Sequence, residues 1–158
     1  MDGENSVAVG DVSQNENALQ APVTGASLLE RIRDREAGLR YAVRLKVPKL
    51  TASCPVTGRP QYALMVIDYI PNGWLIDLQS LNRYLGGFRY FGAFHETCTI
   101  AVARDLVEYL QPEWLRIGGY WMPRTGQPVE VFFQTGPAPS DVWIPDQKIY
   151  PEREPSLQ

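Results

Sequence analysis

The chain has 158 residues, of which 44% are hydrophobic, which is enough for one domain built around one core. Its net charge of -3 gives no basic excess to neutralise phosphates, so direct nucleic-acid binding is not expected. The sequence shows no secretory leader, no apolar run of membrane-spanning length and only two cysteines, so we expect a cytoplasmic protein with reduced thiols.

The two ends of the chain differ in composition from its middle. Residues 1–36 are predicted to be a disordered tail, because the first 24 are mostly polar, with a possible short helix where Leu28, Leu29 and Ile32 recur at helical spacing. Residues 146–158 are predicted to be a second, polar tail. One domain, residues 37–145, remains between them.

The first half of this domain carries strand patterns. Residues 39–47 alternate apolar and charged side chains, as in a half-exposed strand. A loop with three prolines and Cys54 follows over residues 48–60. Residues 62–70 are apolar on both faces, which predicts a central strand covered on both sides.

The second half begins with helical patterns and ends with two strands. Residues 78–90 and 96–110 show apolar residues at three- and four-residue spacing, although Gly86-Gly87 weakens the first helix. Residues 114–122 and 129–134 then read as strands. The order ββααββ indicates an α+β domain with a four-stranded antiparallel sheet and both helices on one face. The open edges of such a sheet predict oligomerisation.

A series of short segments, in the family's order, resembles the QueF family. They are Cys54-Pro-Val-Thr-Gly-Arg-Pro60, Val66-Ile-Asp-Tyr-Ile-Pro71, Gly92-Ala-Phe-His-Glu96, and Pro123-Arg124 followed by Phe133-Gln-Thr-Gly136. The resemblance implies the tunnelling fold (T-fold), homo-oligomers with sites between subunits, and no metal. It also implies NADPH-dependent reduction of the nitrile of 7-cyano-7-deazaguanine to 7-aminomethyl-7-deazaguanine in queuosine biosynthesis.

The resemblance also implies roles for individual residues. Cys54, on a loop that can expose a thiolate, would add to the nitrile carbon to give a thioimide. Glu96 and His95 would hold the purine-like ring, with His95 also catalytic, and Ser80 and Leu81 would contribute to substrate binding. Cys98 lacks such a sequence context and is predicted to be structural.

The chain departs from the family's pattern at the proton-donor position. Seven residues after the cysteine the family carries an aspartate that is thought to transfer the proton, and this chain has Gln61 there. A carboxamide can form hydrogen bonds but cannot shuttle a proton at neutral pH. We assign Gln61 to the catalytic site by position.

The family's NADPH-associated motif, Glu-Ser-Lys-Ser-Leu-Lys-x-Tyr, is altered as well. Its matching segment, Asp77-Leu-Gln-Ser-Leu-Asn-Arg-Tyr84, has lost both lysines, which are usual partners of the cofactor's phosphates. The positions assigned to cofactor binding are therefore Asp77, Gln79, Ser80, Asn82 and Arg83.

Three functions remain open at this point. The first is NADPH-dependent reduction through a Cys54 thioimide, which we favour because Ser80, Leu81 and Tyr84 still match the motif. The second is attack of ammonia on the same thioimide to give an amidine, as in archaeosine-forming relatives. The third is a non-catalytic paralogue that binds 7-deazaguanines.

Overall fold

The computed structural model describes residues 26–123 and 126–147. These residues form two α-helices, two 3-10 helices and six strands. The strands are β1 (Arg31–Arg33), β2 (Val43–Ser53), β3 (Pro60–Ile70), β4 (Trp74–Ile76), β5 (Trp114–Trp121) and β6 (Val129–Gln134). The helices are α1 (Leu78–Gly86) and α2 (His95–Leu110), and the 3-10 helices span Ala26–Leu28 and Gly87–Tyr90.

Four of the strands form one antiparallel sheet in the order β2-β3-β5-β6. Alternate residues of β3, among them Met65 and Ile67, point into the core that the sheet shares with both helices. The opposite face of β3 is also buried, where Ile70 packs with Trp114 and Val142. The predicted α+β architecture, with a central strand covered on both sides, is confirmed.

The boundaries of the helices follow local chemistry. Asp77 caps α1 by accepting a hydrogen bond from the backbone N–H of Ser80 at 2.8 Å. α2 ends at Leu110 and is followed by the C-cap residue Gln111, which adopts a left-handed conformation with φ of 48°, and by Pro112. The predicted helix over 78–90 divides at Gly86-Gly87 into α1 and the 3-10 helix Gly87–Tyr90.

The segment from 26 to 36 differs from its prediction as a tail with a short helix. Residues 31–33 form β1 instead, which pairs antiparallel with the short strand β4. Leu29 is buried in the core, whereas Ile32 is exposed, so the apolar spacing that suggested a helix does not define a buried face. The guanidinium groups of Arg31 and Arg33 lie over the ring of Trp74 and add cation–π contacts. Residues 1–25 and 148–158, the remainder of the predicted tails, lie outside the described residues.

β2 is longer than predicted and continues beyond Val47 to Ser53. Pro48 is tolerated because β2 is an edge strand of this sheet and its pairing with β3 shifts register between Val47 and Leu50. As a result, Cys54 follows directly after a paired strand instead of lying in the middle of a long loop.

β2 and β6 are the edges of the four-stranded sheet within one chain. Neither helix in the described part of the chain is long and apolar enough to cross a membrane.

Candidate active site

Cys54 opens a tight turn at the end of β2. Its backbone N–H donates to the carbonyl of Arg59 at 2.8 Å, and its own carbonyl accepts from the N–H of Gly58 at 2.9 Å. Gly58 has φ of 66°, a conformation that glycine adopts without strain. These bonds fix the backbone around Cys54, whose side chain is partly exposed.

The segment that leads into α2 lies beside this turn. A parallel bridge joins Ser53 to Gly92, and the N–H of Ala93 donates to the Ser53 carbonyl at 3.1 Å. A Cβ atom on Gly92 would come within 3.0 Å of the Cα of Pro55, so only glycine permits this approach without a shift. Cys54 therefore meets the first turn of α2, although some 40 residues separate them in sequence.

These two segments enclose a pocket of about 510 Å³, within the usual range for small-molecule sites. Its lining includes the predicted residues Cys54, Gln61, His95 and Glu96, together with Pro55, Thr57, Arg59 and Phe94. The structure thus brings together one thiol, one carboxylate, one imidazole, one guanidinium and an aromatic ring. Arg59 and Phe94 were not assigned to the site from the sequence. Arg59 could have been assigned as a cation in the same loop as Cys54.

The ring of His95 packs against a residue of the hydrophobic core. It stacks on the indole of Trp121 with centroids 4.5 Å apart and planes 15° from parallel. The indole N–H donates to the Thr99 hydroxyl at 3.0 Å, and that hydroxyl donates to the His95 carbonyl at 2.9 Å. Both Trp121 and Thr99 are buried, so the imidazole rests on a rigid platform.

Gln61 lines the pocket and is only 4% exposed. Its side-chain amide nitrogen donates to the carbonyl of Ala93 at 2.7 Å and to that of Ser53 at 3.3 Å. Gln61 thus lines the pocket with its donor groups already engaged, and its assignment to the catalytic site stays a prediction.

Cys98 is separated from the pocket by its burial. It is fully inaccessible, and burial raises the pKa of its thiol to about 12. A thiol in this state is protonated at neutral pH and is a poor nucleophile.

Three of the motif residues of α1 are engaged in internal structure. Asp77 is the helix cap. The Ser80 hydroxyl is buried and bonds to the backbone of Glu30 and of Asp77. Leu81 belongs to the core. None of the three lines the pocket, so their predicted contact with substrate or cofactor stays a prediction.

The remaining cofactor positions lie on the exposed side of α1. Gln79 and Asn82 are exposed and uncharged. Arg83 is exposed too, and its guanidinium pairs with the Glu30 carboxylate at 3.0 Å. These residues do not form a free cationic clamp for phosphates. Among the described residues, no group of three or more His, Cys, Asp or Glu side chains is arranged to hold a metal ion.

Comparisons with known proteins decide the family. A family model described as "QueF-like protein" matches residues 60–140. The chain is 54% identical, over 79% of its length and 81% of the relative's, to a protein of Paracoccus denitrificans named NADPH-dependent 7-cyano-7-deazaguanine reductase. The chain belongs to the QueF family.

Further relatives extend this QueF match. A Caulobacter vibrioides protein of the same name is 50% identical over 90% of this chain and 95% of the relative. The crystal structure of the archaeosine synthase QueF-Like in the apo form superposes with a TM-score of 0.57, covering 62% of this chain and 96% of the other. At 20% identity that structure supports the fold alone.

Proposed function

We propose that this QueF protein binds 7-cyano-7-deazaguanine in the Cys54 pocket and reduces its nitrile. The observation that carries the proposal is the convergence of Cys54 and Glu96 on one pocket, fixed by the bridge between Ser53 and Gly92. The name shared by relatives that are 50–54% identical supplies the substrate and the reaction type.

Recognition of the ring falls to the first turn of α2. The carboxylate of Glu96 is a bidentate acceptor that matches the adjacent N–H donors of a guanine-like edge. Phe94 and His95 flank it in the same pocket and offer ring faces to a planar ligand. Because Glu96 and Phe94 are exposed in the single chain, the ligand itself would desolvate this recognition group.

Cys54 supplies the nucleophile. Its thiolate sulfur adds to the nitrile carbon, a C–S bond forms, and one carbon–nitrogen π bond breaks. The electron pair moves to the nitrogen, which takes up one proton from water, and the product is a thioimide. Arg59 in the same pocket favours the approach of the anionic sulfur and of the electron-rich nitrogen.

Within one chain the cofactor motif is a poor match for the phosphates of NADPH, because its one cation, Arg83, makes an exposed pair with Glu30 and its other exposed positions are uncharged. We therefore derive no step through the cofactor. A homo-oligomer would place other groups beside α1, and the open edges of β2 and β6 provide surfaces for such an assembly.

A second candidate function is capture of the nitrile compound without reduction. It is favoured by two observations: Gln61 stands at the position where the family resemblance places the proton donor, and the one cation of α1, Arg83, pairs with Glu30. In that case the thioimide, or the non-covalent complex, would be the end point.

A turnover assay distinguishes reduction, amidine formation and capture. Wild-type protein is mixed with the nitrile compound, and NADPH or ammonia is then supplied in separate reactions. Reduction predicts oxidation of NADPH together with the aminomethyl product. An amidine formed only with ammonia would assign the archaeosine-type reaction. Neither product, with the nitrile compound found bound to the protein in both reactions, would assign capture and contradict reduction.

A further inference from the structure

Gln61 joins the two halves of the pocket through a single amide group. It is anchored in β3, where it pairs with Ala52 of the neighbouring strand. Its Nε2 reaches the carbonyl of Ser53, the residue before Cys54, and the carbonyl of Ala93, which precedes Phe94 and His95. One buried side chain thus touches the nucleophile segment and the recognition segment at once.

The hydrogen bonds around the Gln61 side chain link Gln61, Ser53 and Ala93 to one another. The Ser53 carbonyl accepts from the Ala93 backbone N–H as well as from Gln61, and its two lone pairs allow both bonds. The two hydrogens of the Gln61 amide are both used, so only its Oε1 acceptor is left to offer to the pocket. Because Gln61 is 4% exposed, water does not readily replace these bonds.

We propose that Gln61 is a positioning residue that clamps the Cys54 turn to the start of α2 and thereby sets the distance between nucleophile and ring-binding carboxylate. An ionised carboxylate has no donor and would instead place negative charge against two carbonyl oxygens. The clamp therefore requires the carboxamide. The substitution at this position changes the role of the residue from proton transfer to geometry.

The kinetic consequence rests on the proposed function. If Glu96 holds the ring and Cys54 attacks the nitrile, loosening the clamp lowers the fraction of complexes in which sulfur and carbon are aligned. Binding of the ring rests on Glu96, Phe94 and His95, which lie together at the start of α2, so it depends less on the distance to Cys54. The clamp therefore predicts a loss in the first-order rate of C–S bond formation that exceeds any loss in affinity.

The test uses two variants of nearly equal volume. Gln61→Met removes both donors without adding charge, and Gln61→Glu keeps the side-chain length. The matched control is Asn72→Asp, because the Asn72 amide also donates to a main-chain carbonyl, that of Gln111 at 3.3 Å, outside the pocket. Hydrogen exchange at the Ala93 N–H is measured relative to that of Ile67 in the core of the sheet.

Loss of the clamp should raise the Ala93-to-Ile67 exchange ratio about tenfold or more in both Gln61 variants, and leave it unchanged in Asn72→Asp. The rate of adduct formation at saturating nitrile should fall about tenfold or more. Non-covalent affinity, measured in a Cys54→Ala background, should change by less than about threefold.

Each outcome addresses one proposal. An unchanged exchange ratio in both Gln61 variants overturns the clamp, whether or not the ligand reacts. Equal losses of affinity and of adduct rate overturn the positioning role. Absence of any adduct in the wild-type protein contradicts the proposed function, and the exchange ratio then still decides the clamp.

Discussion

Gly119 in β5 lies close to Thr99 of α2, and Gly119→Ala tests the platform under His95. An added Cβ would lie 2.5 Å from the Thr99 hydroxyl oxygen, 3.1 Å from its Cγ2 and 3.2 Å from the indole nitrogen of Trp121. Ordinary contact begins near 3.4 Å, so the Thr99 side chain or the whole helix has to move.

The size of the effect follows from this crowding. Thr99 is fully buried and bonds on both sides, so it cannot rotate away without losing a hydrogen bond. Overpacking of this kind costs about 1–3 kcal/mol of unfolding free energy. For a domain of this size the melting temperature should fall by about 4–12 °C.

Thermal and guanidinium unfolding measure this change, with Gly136→Ala as the control, because no heavy atom lies within 4 Å of its added Cβ. In a Thr99→Ala background, which vacates the space, Gly119→Ala should cost much less, a coupling that a double-mutant cycle detects. Wild-type stability of Gly119→Ala, or an equal cost in both backgrounds, would refute the described packing of α2 on β5.

Three further predictions concern recognition, cofactor and stability. Glu96→Ala should weaken binding of the nitrile compound by about 2–4 kcal/mol in calorimetry, whereas Glu108→Ala, at the far end of α2, should not; equal affinities would remove Glu96 from the site. Gln79→Lys with Asn82→Lys should tighten NADPH binding about tenfold or more in a fluorescence titration, and no gain would mean that the phosphates lie elsewhere. Asp68→Asn should lower the free energy of unfolding by about 2–3 kcal/mol, because it disrupts a buried carboxylate paired with two partly exposed arginines, and unchanged denaturation would contradict the described pairing.

The elements predicted correctly are those in which a regular pattern of apolar residues continues over many positions. β3, α2, β5 and β6 are found within two residues of their predicted bounds. The first three bury apolar faces, and β6 alternates half-buried apolar residues with exposed or polar ones. The segment around Ile32 was predicted wrongly, because three apolar residues fit a helix and an edge strand equally well, and pairing with β4 decides between them. Such pairing depends on tertiary contacts that no local pattern contains.

The composition of the candidate site was partly predictable. Cys54 and Glu96 could be assigned from the motifs that resemble QueF, and the structure places both on one pocket. The hydrogen-bond and ion-pair partners of the site residues could not be predicted from the motifs. Gln61 donates hydrogen bonds to the Ser53 and Ala93 carbonyls, and Arg83 pairs with Glu30. These partners are distant in sequence, so local motifs do not reveal them.

Covalent labelling of Cys54 by the nitrile compound tests the central claim most directly. Intact mass and peptide mapping are recorded for the wild-type protein, Cys54→Ala and Cys98→Ala after incubation with 7-cyano-7-deazaguanine alone. We expect one adduct on Cys54 in the wild type and in Cys98→Ala, and none in Cys54→Ala, because Cys98 is buried with a pKa of about 12. An adduct that persists in Cys54→Ala, or its absence from the wild type, would contradict the assignment of Cys54 as the nucleophile.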